Sequence, residues 1–432
     1  MNMYGFQEAF GSKDKTTTAM ANAIKDWYAL YYADGAGDDE DTCQRIAYTV
    51  VNKLVKAVFG EYGVTAEDPG VSALLEVLNK HRQEALQHAL IGGECYLKPW
   101  VAAEGFGLSL IPRDRLLIFA RDAEGQPTDV GTAEVTTLGN YYYTLLERRK
   151  VDAQGYLTIE NRLYRSLNAD RPGNPCSLKE HPSYAQLPQS YTYSQPVGSV
   201  GLVRLKTPIL NCVDGSADGV SVYAAAVGLI RNINRNEAQL CGEFTRGESR
   251  IIASADLLDE NKDLTHHLFV GLDDDAEHVG LTVFSPQLRE QSFLARKQEY
   301  LRNVESILGL RRGLLSDANA EDRTATEISS SQGEYNLTVM DFQGMWEQAV
   351  KEAVHLCSVL SQLYQLPQFA SEAFSIDWGN GVLYDEEKTW QDYKEMVGMG
   401  MLKPEVALGW RFGAPAATQE EQQKLRRQYM PQ

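Results

Sequence analysis

Apolar side chains recur at three- and four-residue steps in six long stretches of this chain, and a block of short extended runs separates the third stretch from the fourth. Because an α-helix turns every ~3.6 residues, such spacing gathers the apolar residues on one face. The first stretch, residues 16–32, carries Ile24, Trp27, Tyr28 and Tyr31 on one side. The second repeats Ile46, Val50, Leu54 and Val58 as far as Gly60, and the third covers about 71–91 with Leu74, Val77, Leu78, Leu86 and Leu90. Gly92 and Gly93 stop it. From Glu94 to about Arg165 the pattern shortens to ECYLKPW, LSLIP, LLIFA, YYYTLLERR and LTIENRLY, divided by turn residues such as Gly105, Gly125 and Gly155. Helices followed by an antiparallel meander predict an α+β domain. Residues 166–197, rich in Pro, Ser, Asn and Tyr, read as an exposed excursion.

In the second half, Tyr223, Val227, Ile230, Ile233, Leu240, Cys241 and Phe244 predict a helix over 219–247, ended by Gly247. Short extended pieces then surround an acidic centre in 251–286, where Asp256, Asp259, Glu260, Asp263, Asp273, Asp274, Asp275 and Glu277 face only Lys262. A small β-rich module between two helices follows. The next helix carries Leu294, Leu301 and Leu308, with Val304 between, and a basic set of Arg289, Arg296, Lys297 and Arg302. A loop with Gly313 and the run SDANAEDR at 316–323 precedes the longest helical signal, Thr324 to Leu366, striped by Phe342, Met345, Ala349, Ala353, Leu356, Leu360 and Leu363. Thr324 and Glu327 form a capping box at its start, and Pro367 ends it. Residues 374–378 read as a returning strand, and short helices at 386–399 and 403–410 precede a polar tail.

Composition narrows the function. A chain of 432 residues with 43 % hydrophobic content can hold two or three domains around a substantial core. No apolar run reaches the ~18 residues of a membrane span, and the polar start lacks a basic segment joined to an apolar one, so a soluble, unprocessed protein is expected. The six scattered cysteines (Cys43, Cys95, Cys176, Cys212, Cys241, Cys357) include no CxxC pair and are expected to be reduced, mostly buried thiols. Forty-one basic against 59 acidic residues leave a net charge of −18. A protein that grips nucleic acid by its phosphates leans the other way, which weighs against a repressor or nuclease. A conduit is different: DNA must slide without sticking, and acidic walls with a few basic rings serve that.

The common catalytic signatures are missing. GxxxxGK[ST], HExxH and GxSxG do not occur, and Gly105 and Gly107 do not complete a dinucleotide fingerprint. Asp273, Asp274 and Asp275 with His266, His267 and His278 have the ligand chemistry of a metal-dependent nuclease. Consecutive aspartates point in different directions, however, and a solvated acidic loop explains them more simply. The tyrosines Tyr141, Tyr142 and Tyr143 read as sheet packing rather than base stacking. His355 reads as a packing or hydrogen-bonded residue. Taken alone, the arginines of 289–312 fit an ordinary solvated face as well as a channel lining. No catalytic, metal or cofactor site is assigned.

The order of helix 219–247, β-rich module, helix ending in Leu308-Gly309-Leu310, and long helix opened by Thr324-Ala325-Thr326-Glu327 resembles the portal proteins of tailed bacteriophages, in the branch built from wing, stem, clip and crown. The resemblance spans most of the chain. It implies an α+β wing at 1–215 with a returning strand within 367–385, stem helices at 216–250 and 287–310, and a clip at 251–286. A tunnel loop at 311–323, a long helix at 324–366 and a helical crown at 386–432 complete the scheme. It further implies a dodecameric ring at one capsid vertex of the virion, assembled in the host cytoplasm, through which double-stranded DNA passes without sequence preference. Terminase, major capsid, scaffolding and head-completion or adaptor proteins are the implied partners, with no cofactor, no membrane and no enzymatic step. On this scheme the tunnel loop presents Arg311, Arg312, Ser316, Asp317, Asn319, Glu321, Asp322 and Arg323 to the channel. The second stem helix presents Arg296, Lys297 and Arg302, and the clip offers Asp263, Asp273, Asp274, Asp275 and Glu277 to partners. The crown is short and the clip unusually acidic for the family, which bears on adaptor contacts. A metal-dependent phage DNA-processing enzyme and a scaffold or adaptor protein are the competing classes.

Overall fold

The computed structural model describes residues 5–33, 42–102, 105–169, 171–247, 250–254, 269–272, 282–284, 287–317, 325–379, 386–412, 414–416 and 418–430. Its first half opens with α1 (Gly5–Phe10), α2 (Thr18–Tyr32), α3 (Ile46–Val58), β1 (Gly63–Ala66) and α4 (Pro69–Gly92). Ile24, Trp27 and Tyr31, then Val50, Leu54 and Val58, then Leu74, Leu78, Leu86 and Leu90 are buried, as the helical spacing predicts. Thr17 caps α2 by accepting the Met20 N–H, and Asp68 caps α4 through the amides of Gly70 and Val71. Gly93 ends α4 at φ +83°; a Cβ there would lie 2.3 Å from the Gly219 carbonyl, so glycine alone lets the two segments meet.

Two antiparallel sheets follow. β2 (Glu94–Ala102), β3 (Gly105–Pro112) and the later β10 (Val203–Lys206) pair in the order β10-β2-β3. β4 (Leu116–Arg121), β5 (Pro127–Leu138), β6 (Tyr141–Val151) and β7 (Leu157–Ser166) form the expected meander, extended by β8 (Asn174–Cys176), while β9 (Ser190–Thr192) also pairs with β7. Tyr143 is buried in this sheet and Tyr141 lies beneath the Arg165 guanidinium at 4.9 Å.

After a short 3-10 turn at Ala224–Ala226, α5 (Val227–Arg246) leads to β11 (Arg250–Ser254), β12 (Phe269–Leu272) and β13 (Thr282–Phe284). β11 is central, parallel to β12 and antiparallel to β13. The chain returns through α6 (Glu290–Ile307) and α7 (Ala325–Leu363), and β14 (Phe374–Asp377) pairs antiparallel with β1. α4 and α7 pack on the β10-β2-β3 sheet. Trp346 of α7 is wholly buried, edge-on to Phe59 at 5.4 Å, with its Nε1 donating to the Tyr62 hydroxyl at 3.2 Å. Past α7, Gln365 takes φ +55° and Pro367 prevents continuation. Residues 379–432 form a second compact unit of α8 (Glu386–Gly398), α9 (Pro404–Arg411) and α10 (Gln419–Tyr429).

The structure corrects several expectations. Residues 166–197 are not merely an exposed excursion: Leu178 and Tyr184 pack with Tyr143, Leu145 and Leu163, and the Tyr193 hydroxyl meets that of Tyr364 at 2.8 Å. Isolated anchors of this kind leave no periodic trace. The polar start contains α1, whose Phe6 is buried against Phe119. The polar tail is α10, capped by a Thr418–Glu421 box and held by Leu425. The helix expected from 219 begins at Val227, because Val222 N–H is taken by the Leu90 carbonyl. Leu294, Cys241 and Phe244 are exposed despite their spacing. Of the six cysteines, all free, Cys95 and Cys357 are buried and Cys212 and Cys241 exposed. His355 is exposed, with Nδ1 3.4 Å from Glu372. The capping residue Thr324 lies outside the described residues. Among the described residues no helix is long and apolar enough to cross a membrane.

Gly139 also has positive φ (+61°), but no atom lies within 4 Å of the place its Cβ would take. Gly139→Ala should therefore cost about 1–2 kcal/mol from backbone strain alone, whereas Gly93→Ala should lose a further ~1–3 kcal/mol or more from overlap with Gly219. Urea denaturation of both variants checks this, and equal losses would contradict the close approach.

Candidate functional site: a helix pair, its loop and its anchor

The helix pair is rooted in a buried ionic cluster. Glu94, the first residue of β2, is fully buried; its carboxylate accepts from the Tyr96 hydroxyl at 2.6 Å, Arg204 Nη2 at 2.5 Å and the Gly219 N–H at 2.6 Å, with Arg113 Nε 3.8 Å away. Asp218 receives Arg113 Nη2 at 2.9 Å and Arg121 Nη2 at 2.7 Å. Each buried charge thus touches an opposite one. Burial alone would raise the Glu94 carboxyl pKa, but Arg204 and Arg113 outweigh it and hold the group at about 2. The segment leading to α5 is tied further by Thr207 Oγ1 to the Val220 carbonyl (2.7 Å), Ser221 Oγ to the Leu90 carbonyl (3.0 Å) and the Tyr223 hydroxyl to the Trp27 carbonyl (2.8 Å).

From that root α5 and α6 run antiparallel. Arg289 grips both oxygens of Glu243 at 2.9 and 2.7 Å, Asn236 Nδ2 donates to the Phe293 carbonyl at 3.1 Å, and Lys297 Nζ reaches Glu237 at 2.9 Å and Gln44 at 2.7 Å. The three cations expected on one basic face therefore have different surroundings. Lys297 staples α6 to α5 and to Gln44, two residues before α3, while Arg302 is half-buried. Arg296 is exposed, pairs with Glu299 at 2.8 Å and lies 4.6 Å over the Tyr300 ring. It shares a groove of about 500 Å³ between the two helices with Arg235, Arg289, Phe293 and Tyr300. Arg235 was not singled out in the sequence, although its four-residue steps from Arg231 and to Gln239 mark one helical face.

The loop expected at 311–323 begins with exposed Arg311 and Arg312. Ser316 does not project outward: it is buried, and its hydroxyl donates to Glu305 Oε2 at 2.8 Å. Glu305 Oε1 accepts the N–H groups of Gly313, Leu315 and Ser316 at 3.1, 2.6 and 2.8 Å. A buried carboxylate needs such donors, which is why the serine turns inward. Asp317 is exposed, with its N–H donating to Gln298 at 2.8 Å. Sequence reasoning missed Glu305; its place four residues after Leu301 and beside Val304, on the buried face of α6, was the available signal. Asn319, Glu321, Asp322 and Arg323 lie outside the described residues, as do Asp263, Asp273, Asp274, Asp275 and Glu277 of the expected clip and His266, His267 and His278. Among the described residues, no three His, Cys, Asp or Glu side chains group as a metal site requires.

No protein-family model matches the sequence, and no curated protein matches it. Chains of solved structures do. One is from the neck of a native GTA particle, computed with C12 symmetry, with 13 % identity and a TM-score of 0.48 over 95 % of this chain and 98 % of that one.

Replacing Glu94 by Ala leaves Arg113 and Arg204 facing each other in the core, at an expected cost of ~3–5 kcal/mol at neutral pH. The folded pKa of about 2 lies below the ordinary 4.5, so the wild-type contribution is complete above ~4.5 and fades as pH falls toward about 2. Denaturation at pH 7 and pH 3 should show the gap between wild type and Glu94→Ala narrowing in acid; a constant gap would exclude this ionic role.

Proposed function

We propose that the chain is the subunit of a portal-like ring through which double-stranded DNA moves during packaging and ejection. The observation that carries the reading is the path of the chain. An anchored root sends α5 out, a three-stranded module turns the chain, and α6 returns antiparallel. A tethered loop leads to the 39-residue α7, and β14 goes back to β1. This path supports the order wing, stem, clip, stem, tunnel loop and long helix that the sequence resembles. Exposure supports it as well. From 287 to 296 only Phe293 is more than lightly covered, and Leu288, Leu294 and Phe244 stand in solvent on the isolated subunit. A head-to-tail ring uses two different faces of each subunit and gives such side chains neighbours.

In a dodecamer at one capsid vertex, each arginine of the α5–α6 groove and of the loop becomes a ring of positive charge. The net −18 of the subunit works against the strong, salt-sensitive grip of a true DNA binder, so the hold on phosphates is weak. DNA then passes without sequence preference, and the protein itself makes or breaks no bond. The acidic segment 251–286 would steer basic surfaces of terminase and of head-completion or adaptor proteins toward the end of the helix pair.

Light scattering and negative-stain images of the purified chain should give closed rings with a central hole. Replacing Arg311, Arg312 and Asp317 by alanine should reduce DNA packaging without reducing ring assembly. A monomer that cleaves duplex DNA with magnesium or manganese, and loses that activity on Asp273→Ala with Asp275→Ala, would replace this reading by a nuclease.

A further inference from the structure

We infer that Glu305 is a positioning residue whose carboxylate fixes the arch on which Arg311 and Arg312 are displayed. Its side chain is wholly buried, and among the described residues its acceptors are filled by donors of one short segment. Three backbone N–H groups and one hydroxyl converge on the two carboxylate oxygens, the arrangement by which a turn of backbone holds an anion. Gly313, at φ +86°, supplies the left-handed step that turns the chain back over the carboxylate. The other end of the arch is fixed too. Leu310 is buried and its N–H is taken by the backbone carbonyl of Glu305 at 2.8 Å. Arg311 and Arg312 are therefore the two residues spanning a fixed point at 310 and a fixed point at 313.

Further tethers keep the segment in place beyond the arch. Lys53 Nζ donates to the Leu314 carbonyl, Gln298 accepts the Asp317 N–H, and Leu314 and Leu315 pack against the main core. The consequence is that the two arginines stand at a set distance from the end of α6 instead of sweeping through solvent. Only the use of that placement in packaging rests on the portal reading; the tether itself does not.

Hydrogen exchange of residues 311–317, with limited trypsin cleavage after Arg311 and Arg312, tests the inference on the full-length protein. Glu305→Gln keeps an acceptor oxygen for the three amides and should stay near wild type. Glu305→Ala, and Glu305→Asp, which is too short to reach, should exchange on the order of tenfold faster at 313, 315 and 316, with α7 unchanged. Should the alanine variant not fold, Ser316→Ala, which removes one donor and leaves the carboxylate its three amides, supplies the result by exchanging faster than wild type at 313, 315 and 316. Unchanged protection in the Ala and Asp variants, a Gln variant as loose as Ala, or acceleration spread equally over α7 would overturn the tether. A loosened loop with undiminished packaging yield would overturn its role in presenting the arginines. A wild-type protein that forms no rings yet shows the tether would count against the portal reading alone.

Discussion

The contact on which the rest of this fold depends is that of the Glu94 carboxylate with Arg204, Arg113 and the Gly219 amide. It lies where the first half of the chain, ending α4 and starting β2, meets the segment that launches α5. The approach is so close that Gly93 and Gly219 both have to be glycine, since a Cβ on either would overlap the other's backbone. Buried ion pairs lose much of their attraction to desolvation, so this cluster contributes direction more than net stability. Hydrogen bonds from Tyr96, Arg204 and the Gly219 amide to one carboxylate, with the Arg113 charge beside it, leave a single way for the second half of the chain to leave the first.

Successive constraints carry that direction outward. The root of α5 is set by hydrogen bonds to α2, α4 and the residue after β10; α6 is set against α5 by Glu243, Glu237 and Asn236; the loop is set against α6 by Glu305. Each step is polar, and each is shielded more at the root than at the tip. Near the tip, where residues 287–296 are mostly exposed, the isolated subunit supplies little packing. A helix pair that is fixed in direction but uncovered at its end suits a part whose remaining contacts come from other subunits.

The regular elements were legible in the sequence because their burial is periodic. α2, α3, α4 and α7, and five of the strands of the two antiparallel sheets, lie where the spacing of apolar residues put them. Elements anchored by one or two side chains were not legible: α1 by Phe6, the 166–197 segment by Leu178 and Tyr184, α10 by Leu425. The start of α5 was misplaced because long-range hydrogen bonds to Leu90 hold 221 and 222 out of the helix, although their composition continues it. The site shows the same division. Arg296, Arg311 and Arg312 were singled out with the help of the resemblance, whereas Glu94 and Asp218 carry no local mark and Glu305 only its place on the buried face of α6. Their roles come from donors remote in the chain: Gly219 lies 125 positions from Glu94, Arg113 lies 105 from Asp218, and Ser316 lies 11 from Glu305. No local pattern records such separations.

The central claim is that α5 and α6 surround a passage. A cryo-electron microscopy map of the assembled particle tests it most directly, because it locates both helices relative to the symmetry axis. The account predicts a closed ring with α5 and α6 around the central opening and the Arg311–Arg312 arch turned toward the bore. A ring with the helix pair and arch on its outer surface, or an assembly without a continuous opening, would contradict it.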